Sequence, residues 1–203
     1  MKWMPGALNR PKHILPIRME DSSLNTSTSP RYTSVAIWLH WVIATFIIVQ
    51  ISLGVFGSKV ETALGDTAIA VHKVLGITIL VLTLVRIVWR LTHKAPALPS
   101  SVAPVWQFAS RLVHGLLYAL LLIIPLSGWW MASAFPKRHP IEAGLFDIPF
   151  LPVSVNMASA GTAHDFHAYG GWLMSILLAM HISAALKHHF IDRDGILSRM
   201  SLR

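Results

Sequence analysis

The chain has 203 residues, of which 54% are hydrophobic and 13% charged, and its formal net charge is +8. This composition is typical of a polytopic membrane protein rather than a soluble domain, and the Lys and Arg residues are dispersed beside apolar segments, which argues against a nucleic-acid partner. The sequence contains no cysteine, so disulfides, iron–sulfur clusters and covalent c-type haem attachment are excluded. Any redox cofactor must therefore be held without a covalent bond.

Residues 1–30 are polar and rich in Ser, Thr and Pro, and we predict that they form a disordered cytoplasmic extension. They lack the continuous apolar core of a signal peptide. Met19 opens the stretch MEDSSLNTSTSPRYTS, so either Met1 or Met19 is compatible with the native start. N-terminal sequencing of the native protein distinguishes the two.

Four apolar segments follow, and each predicts one transmembrane helix. A helix rises about 1.5 Å per residue and needs roughly 20 residues to cross a hydrocarbon core of about 30 Å. We therefore predict an all-α integral membrane four-helix bundle over residues 31–203. The predicted spans are Val35 to Phe56, Thr67 to Trp89, Leu112 to Ala134 and Tyr169 to Leu186.

The basic residues predict how these spans are oriented. Most of them lie before the first span, between the second and third, and after the fourth. By the positive-inside rule, both termini are cytoplasmic, and we predict a multi-pass protein of the bacterial inner membrane surrounded by lipid. The outer side retains Lys59, Lys73, Lys137 and Arg138, together with five acidic residues.

The last span carries His167 and His181, which are fourteen residues apart. At about 100° per residue, this separation lies within about 40° of a whole number of helical turns and spans about 21 Å along the axis. Both imidazoles therefore share one helix face, one near each membrane surface. His164 falls about 100° off that face and is a weaker candidate.

Two histidines on other spans lie at matching depths. His40, early in the first span, is level with His181, and His72, at the outer end of the second span, is level with His167. Paired imidazoles across a bundle fit the axial ligands of a b-type haem, and two pairs predict two haems b with the four histidines as iron ligands. Glycines would let helix backbones approach these flat rings, and the candidates are Gly54, Gly76, Gly170 and Gly171.

Other interpretations of the histidines stay open. A single histidine in a membrane span is about as often a hydrogen-bonding or interfacial group as a ligand. A histidine-lined proton or metal transporter would also place polar groups inside a bundle. Four histidines at matched depths favour ligation over these alternatives.

Three further residues are candidates for the reaction. Arg86 lies fourteen residues after His72, so it is either a partner for a haem propionate or a snorkelling anchor. His188 lies seven residues after His181 and is either a hydrogen-bond and proton donor to a quinone or an ordinary interfacial histidine. Lys73 is a candidate for guiding an anion towards the outer site.

Four stretches of the chain resemble the prokaryotic cytochrome b561 family of dihaem membrane proteins, which includes the bacterial superoxide oxidase. The resemblance runs from about Arg31 to Arg203 and is carried by IWLHW, IAVHKVLGITILVLTLVRIVWRL, HAYGGWLMSILLAMH and ALKHHFIDRDGILSRM. It implies that His40, His72, His167 and His181 are the haem ligands. It also implies superoxide as a periplasmic electron donor and ubiquinone reduction near His188.

The expected function is therefore that of a transmembrane dihaem cytochrome b acting as a superoxide:ubiquinone oxidoreductase. The alternative is a b-type electron-transfer subunit that serves a partner dehydrogenase or hydrogenase. The basic outer residues favour attraction of a small anion, although the five acidic residues of the same side weaken that field.

Overall fold

The computed structural model describes residues 31–97 and 102–202. The predictions for residues 1–30, both the disordered extension and the choice between Met1 and Met19, lie outside this part of the chain. Four long helices account for most of the described residues, and each is long and apolar enough to cross a membrane. The predicted four-helix membrane architecture is confirmed. The helices are α1 (Ser34–Gly57), α2 (Ala63–Thr92), α3 (Pro104–Ala134) and α4 (Met157–Lys187).

Helices α3 and α4 begin eight and twelve residues before the apolar segments that predicted them, and α2 begins four residues before its segment. His72 is nine residues into α2 and His167 is ten residues into α4. The added residues include small and polar side chains, because a helix needs an apolar surface only where it crosses hydrocarbon. Asn156 caps the start of α4, where its side-chain oxygen accepts the backbone N–H of Ser159 at 2.8 Å.

Consecutive helices run in opposite directions and pack as two hairpins. Helix α1 packs along α2, helix α3 packs along α4, and α2 and α3 join the hairpins. Among the described residues, α4 makes no extensive backbone contact with α1 or α2. We call the end of the bundle that carries Arg31 and Leu202 the terminal end, and the opposite end the loop end.

The loop end is closed by the connection between α3 and α4. It contains two short antiparallel strands, β1 (Ile141–Glu142) and β2 (Asp147–Ile148), which the prediction of an all-α protein did not include. Gly144 adopts a φ of 85° in the turn between them, a backbone conformation that glycine permits. The turn exposes Leu145 and Phe146, with 99% and 68% of their surfaces accessible.

Two hydrogen bonds tie this connection to the end of α3. The indole nitrogen of Trp129 donates to the carbonyl of Pro149 at 2.9 Å. The backbone N–H of Leu151 donates to the hydroxyl of Ser133, which is fully buried, at 3.0 Å. The loop is therefore a fixed cap on this end of the bundle.

Most apolar side chains on the helices face outwards. Trp38, Ile48 and Leu91 are examples with more than half of their surface accessible. A soluble protein seldom exposes so much contiguous apolar surface, whereas a bilayer favours it. The buried cluster is correspondingly small and consists of Leu120, Met174 and Leu177 between α3 and α4.

After α4 the chain turns back across the terminal end. A π-helical turn (His188–Asp192) leads into a 3-10 turn (Leu197–Met200). The indole nitrogen of Trp41 then donates to the carbonyl of Met200 at 2.7 Å, and the Arg31 guanidinium donates to the carbonyl of Ser201 at 2.6 Å. These contacts fasten the C-terminal segment to the beginning of α1.

We expect Trp41→Phe to loosen this attachment. The change keeps an aromatic ring but removes one hydrogen bond, which contributes about 1 kcal/mol. The midpoint of thermal unfolding in detergent should fall by roughly 2–4 °C. Trp172→Phe is the matched control, because the indole nitrogen of Trp172 makes no hydrogen bond within the described ranges, and equal shifts in both variants would contradict this account.

Candidate cofactor site

The histidines of the loop end face each other across the bundle. The imidazole centres of His72, on α2, and His167, on α4, are 5.8 Å apart with an interplanar angle of 73°. Both residues are half-buried. We call these two residues the loop pair.

The histidines of the terminal end have the same relation. The imidazole centres of His40, on α1, and His181, on α4, are 6.3 Å apart with an interplanar angle of 72°. Both are half-buried, and we call them the terminal pair. The structure thus brings together the same residues that the sequence paired by depth, and His164 belongs to neither pair.

A backbone carbonyl from a neighbouring helix holds each imidazole of the loop pair. His72 Nδ1 lies 3.1 Å from the carbonyl oxygen of Gln50 on α1, and His167 Nδ1 lies 2.9 Å from that of Ile124 on α3. Because a carbonyl can only accept, Nδ1 carries the proton in both rings. The other nitrogen, Nε2, then presents a lone pair, which is the form in which imidazole binds a metal.

A glycine on the carbonyl-bearing helix lets each ring come this close. A Cβ atom on Gly54 would lie 2.9 Å from Cε1 of His72, and one on Gly128 would lie 2.9 Å from Cε1 of His167. Each glycine follows the accepting carbonyl by four residues, one helical turn further on. The two hairpins therefore present their histidines in the same way.

Gly128 was missed by the sequence reasoning, which considered glycines only on helices that carry a candidate ligand. Gly76 was included, and the structure places it beside Gln50, whose side-chain nitrogen would lie 3.1 Å from a Cβ atom there. That same nitrogen donates to the carbonyl of His72 at 2.7 Å. Gln50 and His72 are therefore linked by two hydrogen bonds, and Gly76 leaves room for them.

The terminal pair has a cationic neighbour. Arg86 is half-buried and donates to the hydroxyl of Tyr118 at 3.0 Å and to the carbonyl of Ala36 at 2.8 Å. Its remaining terminal nitrogen lies 3.4 Å from Nδ1 of His40. The guanidinium is thus held between α1, α2 and α3 rather than extended along the outside of the bundle.

A third imidazole lies beside the terminal pair. The ring centre of His114, on α3, is 5.1 Å from that of His181. Its Nδ1 donates to the carbonyl of Ser110 at 2.6 Å, and the residue is exposed at the side of the bundle. Depth alone did not pair His114 with His181, because His40 lies at the same level as His181.

The remaining candidates lie at opposite ends. His188 follows α4 at the terminal end and donates from Nδ1 to a carboxylate oxygen of Asp194 at 2.6 Å. Lys73 is exposed next to the loop pair. Arg138, another basic residue of the loop end, donates to the carbonyl of Ser133 and lies over the ring of Phe150.

The two pairs fit a metal held between imidazoles. A ligating imidazole nitrogen lies about 2 Å from a first-row metal ion, so two rings that share one ion have centres roughly 6 Å apart. The measured separations of 5.8 and 6.3 Å match this value. Two neutral imidazole nitrogens at this separation are a donor set that suits a first-row metal ion, including the iron of a haem.

These features define the class: a multi-pass helical membrane protein with a histidine pair near each end of its bundle. Residues 31–201 match the family model of prokaryotic cytochrome b561. The chain belongs to the prokaryotic cytochrome b561 family. It is accordingly a membrane electron-transfer protein of a family that binds b-type haem.

Three similar proteins align with most of this chain. Cytochrome b561 homolog 2 of Escherichia coli (strain K12) is 34% identical over 182 residues, which cover 86% of this chain and 93% of the relative. Cytochrome b561 homolog 1 of the same organism is 30% identical, with 85% and 98% covered. A Yersinia pestis protein named "Probable superoxide oxidase CybB" is 24% identical, with 84% and 95% covered.

We expect Gly54→Ala and Gly128→Ala to lower the haem content of the purified protein. In each variant the new methyl group would overlap an imidazole edge and break its hydrogen bond to the carbonyl. Haem absorbance per polypeptide is the measurement. Gly161→Ala is the control, because nothing lies within 4 Å of a Cβ there, and a loss of haem as large as in the other two variants would contradict the prediction.

Proposed function

We propose that the protein holds two haems b, one between His72 and His167 and one between His40 and His181. We further propose that it passes electrons from superoxide at the loop end to ubiquinone at the terminal end. The observation that carries the proposal is the presence of two imidazole pairs of similar geometry at opposite ends of one bundle. A proton pathway lined with histidines would not need the rings to be paired at the separation of two ligands of one metal.

The residues around each pair have separate tasks. When bound, a bis-histidine haem b accepts and releases one electron at a potential that the surrounding protein sets. The carbonyls of Gln50 and Ile124 keep Nε2 of the loop pair available for the iron. Gly54 and Gly76 let the backbones stay close to the site, and Arg86 would place a positive charge beside a haem of the terminal pair.

The different surroundings of the two pairs support a direction for the electrons. The loop pair is bonded to neutral carbonyls, whereas the terminal pair has a guanidinium at 3.4 Å from His40. A positive charge in a medium of low dielectric constant stabilises an added electron. Electrons are therefore expected to move from the loop end to the terminal end.

The distribution of basic residues supports the orientation in the membrane. Arg31, Arg90, Lys187 and Arg199 lie at the terminal end, among other basic residues of the same end. By the positive-inside rule this end is cytoplasmic, and the protein lies in the bacterial inner membrane with both termini inside. The loop end then faces the periplasm.

Ubiquinone is the proposed acceptor because His188 lies at the terminal end beyond the last ligand. Reduction of a quinone consumes two electrons and two protons, and imidazole can deliver protons near neutral pH. His188 is half-buried, so it can contact both the bundle and the cytoplasmic boundary. The balanced reaction is the oxidation of two superoxide ions to two molecules of oxygen, coupled to reduction of one quinone, with two protons from the cytoplasm, to its quinol.

Superoxide is the proposed donor for two reasons. One relative of the chain is named as a superoxide oxidase, and Lys73 offers an exposed positive charge beside His72. A partner protein is the second candidate donor. The specific observation in its favour is the exposed pair Leu145 and Phe146 on the turn that closes the same end.

We expect histidine variants to remove the two haems separately. His40→Ala should lose the haem of the terminal end and retain that of the loop end, because only one ligand pair is broken, and His72→Ala should do the reverse. Low-spin b-type absorbance of the reduced protein should fall to about half in either variant. A well-folded wild-type protein without haem absorbance would contradict the proposal.

We expect superoxide to reduce the wild-type protein directly, and added ubiquinone to reoxidise it. Lys73→Gln should slow the first step, and the rate in the wild-type protein should fall with ionic strength, because steering of an anion is screened by salt. Stopped-flow absorbance of the haems measures the rate of reduction by superoxide and the rate of reoxidation by ubiquinone. Lys94→Gln, which removes the same charge at the terminal end, is the control. A protein that is reduced only after a partner dehydrogenase is added would favour the second candidate.

A further inference from the structure

The C-terminal segment places a carboxylate against the imidazole proposed to meet the quinone. His188 Nδ1 donates to Oδ2 of Asp194 at 2.6 Å, and the Asp194 side chain is only 18% exposed. Its other oxygen accepts the backbone N–H of Ile196 at 3.1 Å. The carboxylate is thus held on one side by the backbone and on the other by the ring.

The backbone between the two residues is shaped to make this contact. His188 opens a π-helical turn, and Arg193 then adopts a left-handed conformation with a φ of 51°. This conformation is unfavourable for a residue with a Cβ atom, and it is retained where surrounding contacts require it. The turn brings Asp194 back onto His188 instead of letting it extend away along the helix axis.

A second carboxylate lies close by but is bonded elsewhere. Both oxygens of Asp192 accept from the ammonium group of Lys187, at 2.6 and 2.7 Å, while the nearer one is 3.2 Å from His188 Nδ1. Its charge is therefore balanced by Lys187, whereas the contact of Asp194 with the ring is shorter and more buried. Asp194 is the principal partner of His188.

We propose that Asp194 is a positioning residue for quinone reduction, holding His188 so that Nε2 faces the quinone oxygen. The inference rests on the proposed function. With Nδ1–H bonded to the carboxylate, Nε2 is the ring nitrogen left to exchange a proton with the quinone.

The proton balance is complete without a change in Asp194. At the quinone oxygen that faces His188, the N–H bond at Nε2 breaks and an O–H bond forms. Cytoplasmic water returns the proton to Nε2 and supplies the proton of the other quinone oxygen, so two protons accompany the two electrons that convert quinone to quinol. Throughout the cycle Nδ1–H stays bonded to Asp194, which therefore acts only through His188.

The test is the rate at which a short-chain ubiquinone reoxidises the chemically reduced, haem-loaded protein. Asp194→Asn should slow reoxidation at least tenfold, nearly as much as His188→Ala, and the double variant should be no slower than His188→Ala alone. Haem spectra and reduction by superoxide should be unchanged in all three. Asp192→Asn is the matched control and should stay within about twofold of the wild-type rate.

Three results would overturn the inference: a wild-type rate in Asp194→Asn, equal slowing in Asp192→Asn, or multiplied effects in the double variant. If Asp194→Asn does not accumulate with haem, Asp194→Ser tests the same point, because its hydroxyl can still accept the Ile196 N–H. A wild-type rate in His188→Ala would instead remove the proposed quinone site itself. The failure of the inference and that of the proposed function are therefore distinguishable.

Discussion

The arrangement of the bundle depends on hydrogen bonds between imidazoles and backbone carbonyls of neighbouring helices. In a membrane, a polar side chain without a partner is costly, and most carbonyls are already bonded within their own helix. His72 and His167 reach a carbonyl on the adjacent helix because a glycine one turn further on leaves the ring room to approach. This single contact both stabilises a histidine inside the bundle and determines which of its nitrogens is available to a metal.

The same contact explains why the two hairpins are alike. In each of them a glycine-bearing helix supplies the carbonyl and the following helix supplies the histidine, Gly54 with His72 and Gly128 with His167. Helix α4 therefore faces α2 through side chains rather than through close backbone packing. The terminal pair has other neighbours: the Arg86 guanidinium lies beside His40, and the His114 ring lies against His181. The two sites therefore have different electrostatic surroundings.

Hydrophobicity and helical period were sufficient to predict the four spans and the pairing of His40 with His181 and His72 with His167. Both follow from local rules, since a span needs a minimum apolar length and residues fourteen apart share a face. The first turns of α3 and α4 were not predicted, because apolar length reports only the hydrocarbon crossing. Gly128 and Asp194 were missed because their roles depend on contacts with another helix or on a left-handed turn at Arg193, which no local pattern in the sequence indicates.

We propose that each of two irons is held by two neutral imidazoles. Low-temperature electron paramagnetic resonance of the oxidised wild-type protein, combined with chemical determination of iron and haem per polypeptide, tests it most directly. We expect two haems b per chain and two distinct low-spin ferric signals typical of bis-imidazole ligation, distinct because, among the described residues, only the terminal pair adjoins a guanidinium. One haem per chain, or a high-spin signal from the untreated protein, would contradict it.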